Sequence, residues 1–146
     1  MTRVDLCVLY YDGTMETYTY DEFDLNAAIE RGAYQSWAFG PKLLNRGVPA
    51  EKFNSAVNDV NPRSAIDYYE PGHYCFVLVD GRQEGYSIGM TMTELAELFG
   101  RLGCKEAYNL DGGQSAAMVF MDEPVNRPSD GGRKISDIIY IGKELP

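Results

Sequence analysis

A carboxylate ends an apolar run in Tyr108-Asn109-Leu110-Asp111, and two glycines, Gly112-Gly113, follow it before Gln114-Ser115. Further apolar residues, Met118-Val119-Phe120-Met121, close the stretch. A charged side chain so framed is costly unless it has a use. Glycines let the backbone take positive φ and come close to a ligand. Successive turn N–H groups can form an anion-binding concavity. The stretch therefore reads as a site for a phosphorylated or sugar-like ligand beside a reactive carboxylate.

Three more polar clusters interrupt apolar segments: Asn61-Pro62-Arg63-Ser64, Asp80-Gly81-Arg82-Gln83 and Asn126-Arg127-Pro128-Ser129-Asp130. Each carries an arginine, whose planar fork matches phosphate or carboxylate oxygens two at a time. Turns are rich in Asn, Asp, Gly and Pro for local reasons, so one such cluster means little. Four in a short chain point to a site. Asp111 could cap its turn or pair with an arginine. It could equally serve as nucleophile, acid–base group or charge stabiliser, as paired carboxylates do in glycoside cleavage. Asp80, Asp130 and Asp137 are the candidate second carboxylates. With one histidine, His73, no Ser-His-Asp triad presents itself for Ser115. Neither a GxxxxGK[ST] loop nor a GxGxxG fingerprint occurs, which argues against nucleotide binding of those kinds.

The elements that must position these residues follow from patterning. The 146 residues suit one domain, and 45% hydrophobic with 24% charged residues is ordinary for a globular protein. Val4–Tyr10 and Met15–Tyr20 read as strands joined at Asp12-Gly13. Leu25–Ile29 has helical spacing, with Asp24 as N-cap and Gly32 as stop. Tyr34–Phe39 reads as a buried strand, Lys42–Gly47 as a short hairpin, and Pro49–Asp59 as loop. Ser64–Asp67 and Tyr74–Val79 read as strands. The second is so apolar that a central, doubly covered position is expected. Thr91-Met92-Thr93-Glu94 fits a capping box. Leu95, Leu98, Phe99 and Leu102 then share one helical face, with Gly103 as the left-handed stop. Ala107–Leu110 reads as strand, Ala116–Met121 as strand or helix, and Ile135–Ile141 as a closing strand. The fold class expected is α+β: a mixed central sheet packed with a few helices.

Other classes are disfavoured. A net charge of −9 argues against a nucleic-acid backbone as partner. The acidic residues crowding the first thirty positions read as a solvated face. No apolar run is long enough to span a membrane. Met1–Asp5 does not resemble an export leader. As written the chain reads as cytoplasmic; with an upstream export segment it would be extracellular or in the cell envelope. Cys7, Cys75 and Cys104 lack metal-ligand spacing and read as buried thiols.

Taken in order, Ser36-Trp37-Ala38-Phe39-Gly40-Pro41, Asn61-Pro62-Arg63-Ser64-Ala65, Val79-Asp80-Gly81-Arg82-Gln83, Gly89-Met90-Thr91 with Glu94-Leu95-Ala96, Asn109-Leu110-Asp111-Gly112-Gly113 and Val125-Asn126-Arg127-Pro128 resemble the phosphodiester glycosidase domain family over residues 34–142. Bacterial members of that family are often linked to exopolysaccharide biosynthesis. Where the family's turn usually has a third glycine, this chain has Gln114, which either alters a positive-φ position or adds a side chain to the pocket. The resemblance implies that residues 1–146 form the C-terminal portion of the family domain, without its N-terminal part. It also implies cleavage between a sugar's anomeric carbon and a phosphate oxygen, with no cofactor. Asp111 is then the catalytic carboxylate, with Asp80 second. Arg63, Arg82 and Arg127 hold phosphate. Asn109 and Asn126 bond sugar hydroxyls or orient the carboxylate, and Gly112, Gly113 and Ser115 line the substrate. The partner is a sugar-phosphate or glycan, and a homo-oligomer is compatible with the sequence. Two other readings stand beside this one. The first is a glycan-binding module without turnover. The second is a phosphodiesterase using a divalent cation on Asp80, Asp111 and Asp130.

Overall fold

The structure is a computed structural model that describes residues 3–142. Met1 and Thr2, part of the segment read for an export leader, lie outside it, as do the residues after 142. Strands β1 (Leu6–Tyr10) and β2 (Met15–Tyr18) form the expected hairpin. Asp12 fixes its turn by accepting from the Thr14 N–H at 2.8 Å. Helix α1 (Leu25–Glu30) starts where Asp24 accepts from the Asn26 and Ala27 N–H groups. Strand β3 (Ala33–Trp37) pairs with the other side of β1. A small hairpin follows, β4 (Leu44–Asn45) and β5 (Val48–Pro49).

The second sheet has the order β7-β6-β8, built from β6 (Arg63–Glu70), β7 (His73–Val79) and β8 (Glu106–Asn109). Helix α2 (Met92–Leu102) connects β7 to β8. Its capping box is complete, with the Thr91 N–H on Glu94 at 2.8 Å and the Glu94 N–H on the Thr91 hydroxyl at 3.2 Å. Gly103 ends it in the left-handed conformation at φ 77°. A last two-stranded ribbon joins β9 (Val119–Phe120) to β10 (Glu123–Pro124).

Period-two alternation along β6 divides the core. Ala65 faces α2, where Met92, Leu95, Ala96 and Phe99 pack with Leu43, Leu44 and Ala107. Ile66 and Tyr68 face the first sheet, where they meet Cys7, Met15 and Tyr108. The β7-β6-β8 sheet is thus covered by α2 on one face and by the β2-β1-β3 sheet on the other. Tyr108 ties these layers together: its buried hydroxyl donates to the Asp5 carbonyl at 2.7 Å and accepts from the Phe39 N–H at 2.8 Å.

The α+β class holds, but the strands occupy several antiparallel sheets and not one mixed sheet. Four local expectations change. The very apolar β7 is a half-buried edge strand, and β6 takes the centre. Strand β3 is mostly exposed: it is an edge strand, paired with β1 alone. Residues 116–121 form no long element; a single 3-10 turn, Gly113–Ser115, precedes the short β9. Residues 135–141 form no strand, and Ile138 and Tyr140 are exposed. Asp5 also leaves the acidic face: it is buried, and accepts from the Lys42 N–H and the Asn54 amide. Cys7 and Cys104 are buried as expected, while Cys75 is only partly so.

Candidate active site

Antiparallel pairing decides which loops meet. Arg63 opposes Val79 and Ala65 opposes Asn109. The start of β6, the end of β7 and the end of β8 therefore lie at one end of the sheet. Three glycines let the loops there close on the backbone of Asn61-Pro62. A Cβ on Gly81 would stand 2.8 Å from the Pro62 nitrogen, and one on Gly112 would stand 2.4 Å from the Pro62 carbonyl oxygen. At Gly89, φ is +105° and a Cβ would fall 2.4 Å from Asn61. Any side chain at these positions would force the loops apart.

A cleft of about 400 Å³ opens at this end. Its wall includes Arg63, Arg82, Asn109, Asp111, Gly112 and Gly113 from the sequence-derived set. Asp80, Ser115, Asn126 and Arg127 are not on it. Arg133, which the sequence reading did not select, is on it, as are Asn61, given no role there, and Gln114, the side chain that reading allowed for in the pocket. Arg133 follows Gly131-Gly132 much as Arg82 follows Gly81, and that repeated glycine–arginine step was its available signal.

Each group has a distinct setting. The Asp111 side chain is 44% exposed, and one oxygen accepts from the Arg133 guanidinium. The same guanidinium donates through Nε to Ser115 Oγ at 2.6 Å. Ser115 thus holds the arginine that holds Asp111. Arg82 takes a positive φ of 56° and donates to Asn61 Oδ1 at 2.8 Å. Its guanidinium lies against Gly113, where a Cβ would be 3.3 Å away. Asn109 is buried and donates to the Gly40 and Leu110 carbonyls at 3.0 and 2.9 Å. Its Oδ1 is buried without a hydrogen-bond partner. A buried acceptor left so costs about 1–3 kcal/mol, and a ligand O–H or N–H would relieve it. Gln114 has no positive φ; its side chain reaches the cleft and donates to Asp130 at 3.0 Å.

Other groups build the site with their side-chain polar atoms committed elsewhere. Arg63 is 3% exposed, and its donors go to backbone carbonyls, Nε to Met90 at 3.0 Å, Nη1 to Val57 at 3.0 Å and Nη2 to Asp59. Asp80 is saturated: it accepts from the Asn126 amide at 2.8 Å, the Tyr86 hydroxyl at 2.9 Å and the Arg127 N–H at 3.1 Å. Desolvation pushes its carboxyl upward, but these hydrogen bonds outweigh that and hold it below the usual aspartate value. Asn126 also accepts from the Met118 N–H at 2.8 Å and donates to the Ala116 carbonyl at 3.0 Å. The Arg127 guanidinium lies over the Tyr86 ring, 4.3 Å from its centroid. The Gly113 N–H is spent on the Pro62 carbonyl at 3.0 Å. Three arginine forks therefore do not meet around one carboxylate. Arg133 pairs with Asp111 and Arg82 lines the same cleft, while Arg63 spends its donors on backbone carbonyls and Arg127 lies over Tyr86. Asp80, Asp111 and Asp130 do not come together either, and among the described residues no group of three potential ligands could hold a metal.

The sequence profile of the phosphodiester glycosidase family matches residues 5–142. The chain belongs to this family. The match reaches back through the N-terminal hairpin, beyond the stretch carried by the motifs. The SPbeta prophage-derived uncharacterized protein YomE of Bacillus subtilis (strain 168) is 35% identical over 96% of this chain, which spans 22% of that relative. The N-acetylglucosamine-1-phosphodiester alpha-N-acetylglucosaminidase of Bos taurus is 35% identical over 53% of this chain and 14% of its own length. The chain thus spans less than a quarter of the curated relatives it matches. Among solved structures, the zebrafish N-acetylglucosamine-1-phosphodiester alpha-N-acetylglucosaminidase catalytic domain, auto-inhibited by its pro-peptide, superposes with a TM-score of 0.66 at 21% identity, covering 87% of this chain and 45% of that one. A hypothetical protein from Synechocystis gives a TM-score of 0.58 at 16% identity, covering 92% and 33%. These two likenesses establish a shared fold. Among the described residues no helix is long and apolar enough to cross a membrane.

Proposed function

We propose that this chain hydrolyses a sugar-1-phosphodiester at the anomeric carbon, releasing the sugar and a phosphomonoester. The supporting observation is one cleft whose wall holds a partly exposed carboxylate, Asp111, paired with the Arg133 guanidinium, together with a second arginine, Arg82. A phosphate leaving group is a weak base. It needs its charge stabilised more than it needs a proton, and guanidinium forks supply that. This chemistry accommodates a site with one available carboxylate, whereas cleavage of an ordinary glycoside calls for two. Asp111 faces the anomeric carbon as nucleophile or as stabiliser of the oxocarbenium charge. Arg82 and Arg133 take the phosphate oxygens. Asn109 Oδ1 accepts from a sugar hydroxyl. Water adds to the anomeric carbon, the carbon–oxygen bond breaks, and its electron pair leaves with the phosphate.

Hydrolysis of a sugar-1-phosphodiester in ¹⁸O-water tests this reading. Label in the released sugar is the expected result, and Asp111→Asn abolishes the release. Label in the phosphate means attack at phosphorus and overturns it. The binding-module reading keeps one observation in its favour, since Arg133 already occupies an Asp111 oxygen. Saturable binding of the diester without any sugar release would establish that alternative.

A further inference from the structure

A second cleft, of about 930 Å³, lies between β2 and β8, the edge strands of the two sheets. It shares no lining residue with the Asp111 cleft; it opens at the start of β8, and the other lies at the end of that strand. Two features mark it as more than a solvated groove. The Glu106 carboxylate is largely enclosed, with one oxygen held across the sheet gap by the Thr17 hydroxyl. The Lys42 side chain is only 14% exposed, yet its ammonium has no short partner. Its contacts to the Thr17 carbonyl and to Glu22 are both 3.5 Å, at the outer limit of hydrogen bonding. An enclosed ammonium with long contacts is set to gain from an incoming oxygen.

The lining also decides what class of ligand fits. Lys42, Arg46 and Lys105 stand against Glu16, Glu22 and Glu106, so neither a polyanion nor a polycation meets a field of one sign. Six charged side chains in its wall disfavour a lipid or other largely apolar ligand. Neighbouring donors and acceptors suit groups that are both at once, as hydroxyls are. Tyr18, half-buried, adds a ring against which the C–H face of a pyranose can lie.

We propose that this cleft is a second carbohydrate subsite, taking a neutral oligosaccharide through hydrogen bonds from Lys42 and to Glu106 across the β2–β8 gap. The proposal stands on the lining of this cleft and not on the role of Asp111. The test is an NMR titration of the ¹⁵N-labelled chain with chitotriose and with maltotriose. Saturable shifts at the amides of Thr17, Lys42 and Glu106, with a Kd of about 1 mM, are the expected result for at least one sugar. Lys42→Met and Glu106→Gln should each weaken that binding about tenfold. Asp111→Asn should leave it unchanged, and Lys42→Met should leave any sugar-1-phosphodiester turnover unchanged. No saturable shift with either sugar, shifts confined to Asn109 through Gly113, or unaltered binding in both cleft variants overturns the proposal. Preferential binding of a sulfated trisaccharide or of trilysine overturns the neutral class. If turnover fails while these shifts persist, the Asp111 reading falls and this one stands.

Discussion

Asp111 and Asp80 both follow strands of the same sheet, at the same end, yet their surroundings differ. Asp111 has an arginine on one oxygen and faces the cleft. Asp80 is ringed by an amide, a phenol and a backbone N–H, all supplied by the protein. The arginines repeat the contrast: both line the cleft, but among the described residues the Arg82 guanidinium bonds to Asn61 alone, while Arg63 is sealed among carbonyls. A carboxylate or guanidinium whose bonds are all internal shapes a site. One with an unspent bond can act in it.

The largest expected effect falls on the acting side. Asp111→Asn should cut sugar release about a thousandfold, or ~4 kcal/mol of barrier, with the melting temperature nearly unchanged. Retained turnover would place Asp111 with Asp80 among the builders. Next is Arg63→Met, which strands the carbonyls of Met90, Val57 and Asp59. Urea denaturation should show a loss of about 3 kcal/mol. A variant as stable as the parent would mean that Arg63 is not the strut its bonds indicate.

A third carboxylate extends the comparison. Asp67 is fully buried, both its oxygens lack a hydrogen-bond partner, and desolvation raises its pKa to about 6. The folded state then binds the proton more tightly than the unfolded state does. This carboxyl's contribution to stability therefore falls as pH rises from the ordinary aspartate value of 3.8 through about 6. Asp67→Asn should raise the melting temperature at pH 8 and leave it nearly unchanged at pH 4; equal shifts at both would refute the titration. Asp80 has the opposite sign. Its folded pKa is depressed, so its contribution is present above the usual aspartate value and is lost as acid protonates the folded state. Asp80→Asn should be mildly destabilising at neutral pH and less so in acid, as read from melting curves across pH. The smallest effect is expected at Thr91→Ala, which removes the α2 cap and should cost about 1 kcal/mol with no change in turnover.

Local signals in the chain were enough for the elements whose causes are local. The α2 cap, the Gly103 stop, the Asp24 cap and the hairpin at Asp12-Gly13 each depend on neighbours within a few residues. The strand positions depend on distant partners. Seven nearly all-apolar residues in β7 look central, but placement in a sheet is set by what pairs and packs there, which composition does not encode. The candidate site divides in the same way. Asp111, its glycine pair and Arg82 were legible as a carboxylate and a fork beside sharp turns. The withdrawal of Arg63 and Arg127 was not, because an isolated arginine gives no sign whether its donors will meet a ligand, a ring or backbone carbonyls.

The sequence by itself determined the family, the α+β class, the capped helices and the polar clusters from which a site could be made. Tertiary structure alone decided which of those clusters face a common space. Antiparallel register brought the ends of β6, β7 and β8 together, and Gly81, Gly89 and Gly112 let their loops close on Asn61-Pro62. It also brought in Arg133 and set Asp80 to holding Asn126 and Arg127. The physical reason is that residue type fixes what bonds a side chain can make, while only long-range packing fixes which of them remain unmade.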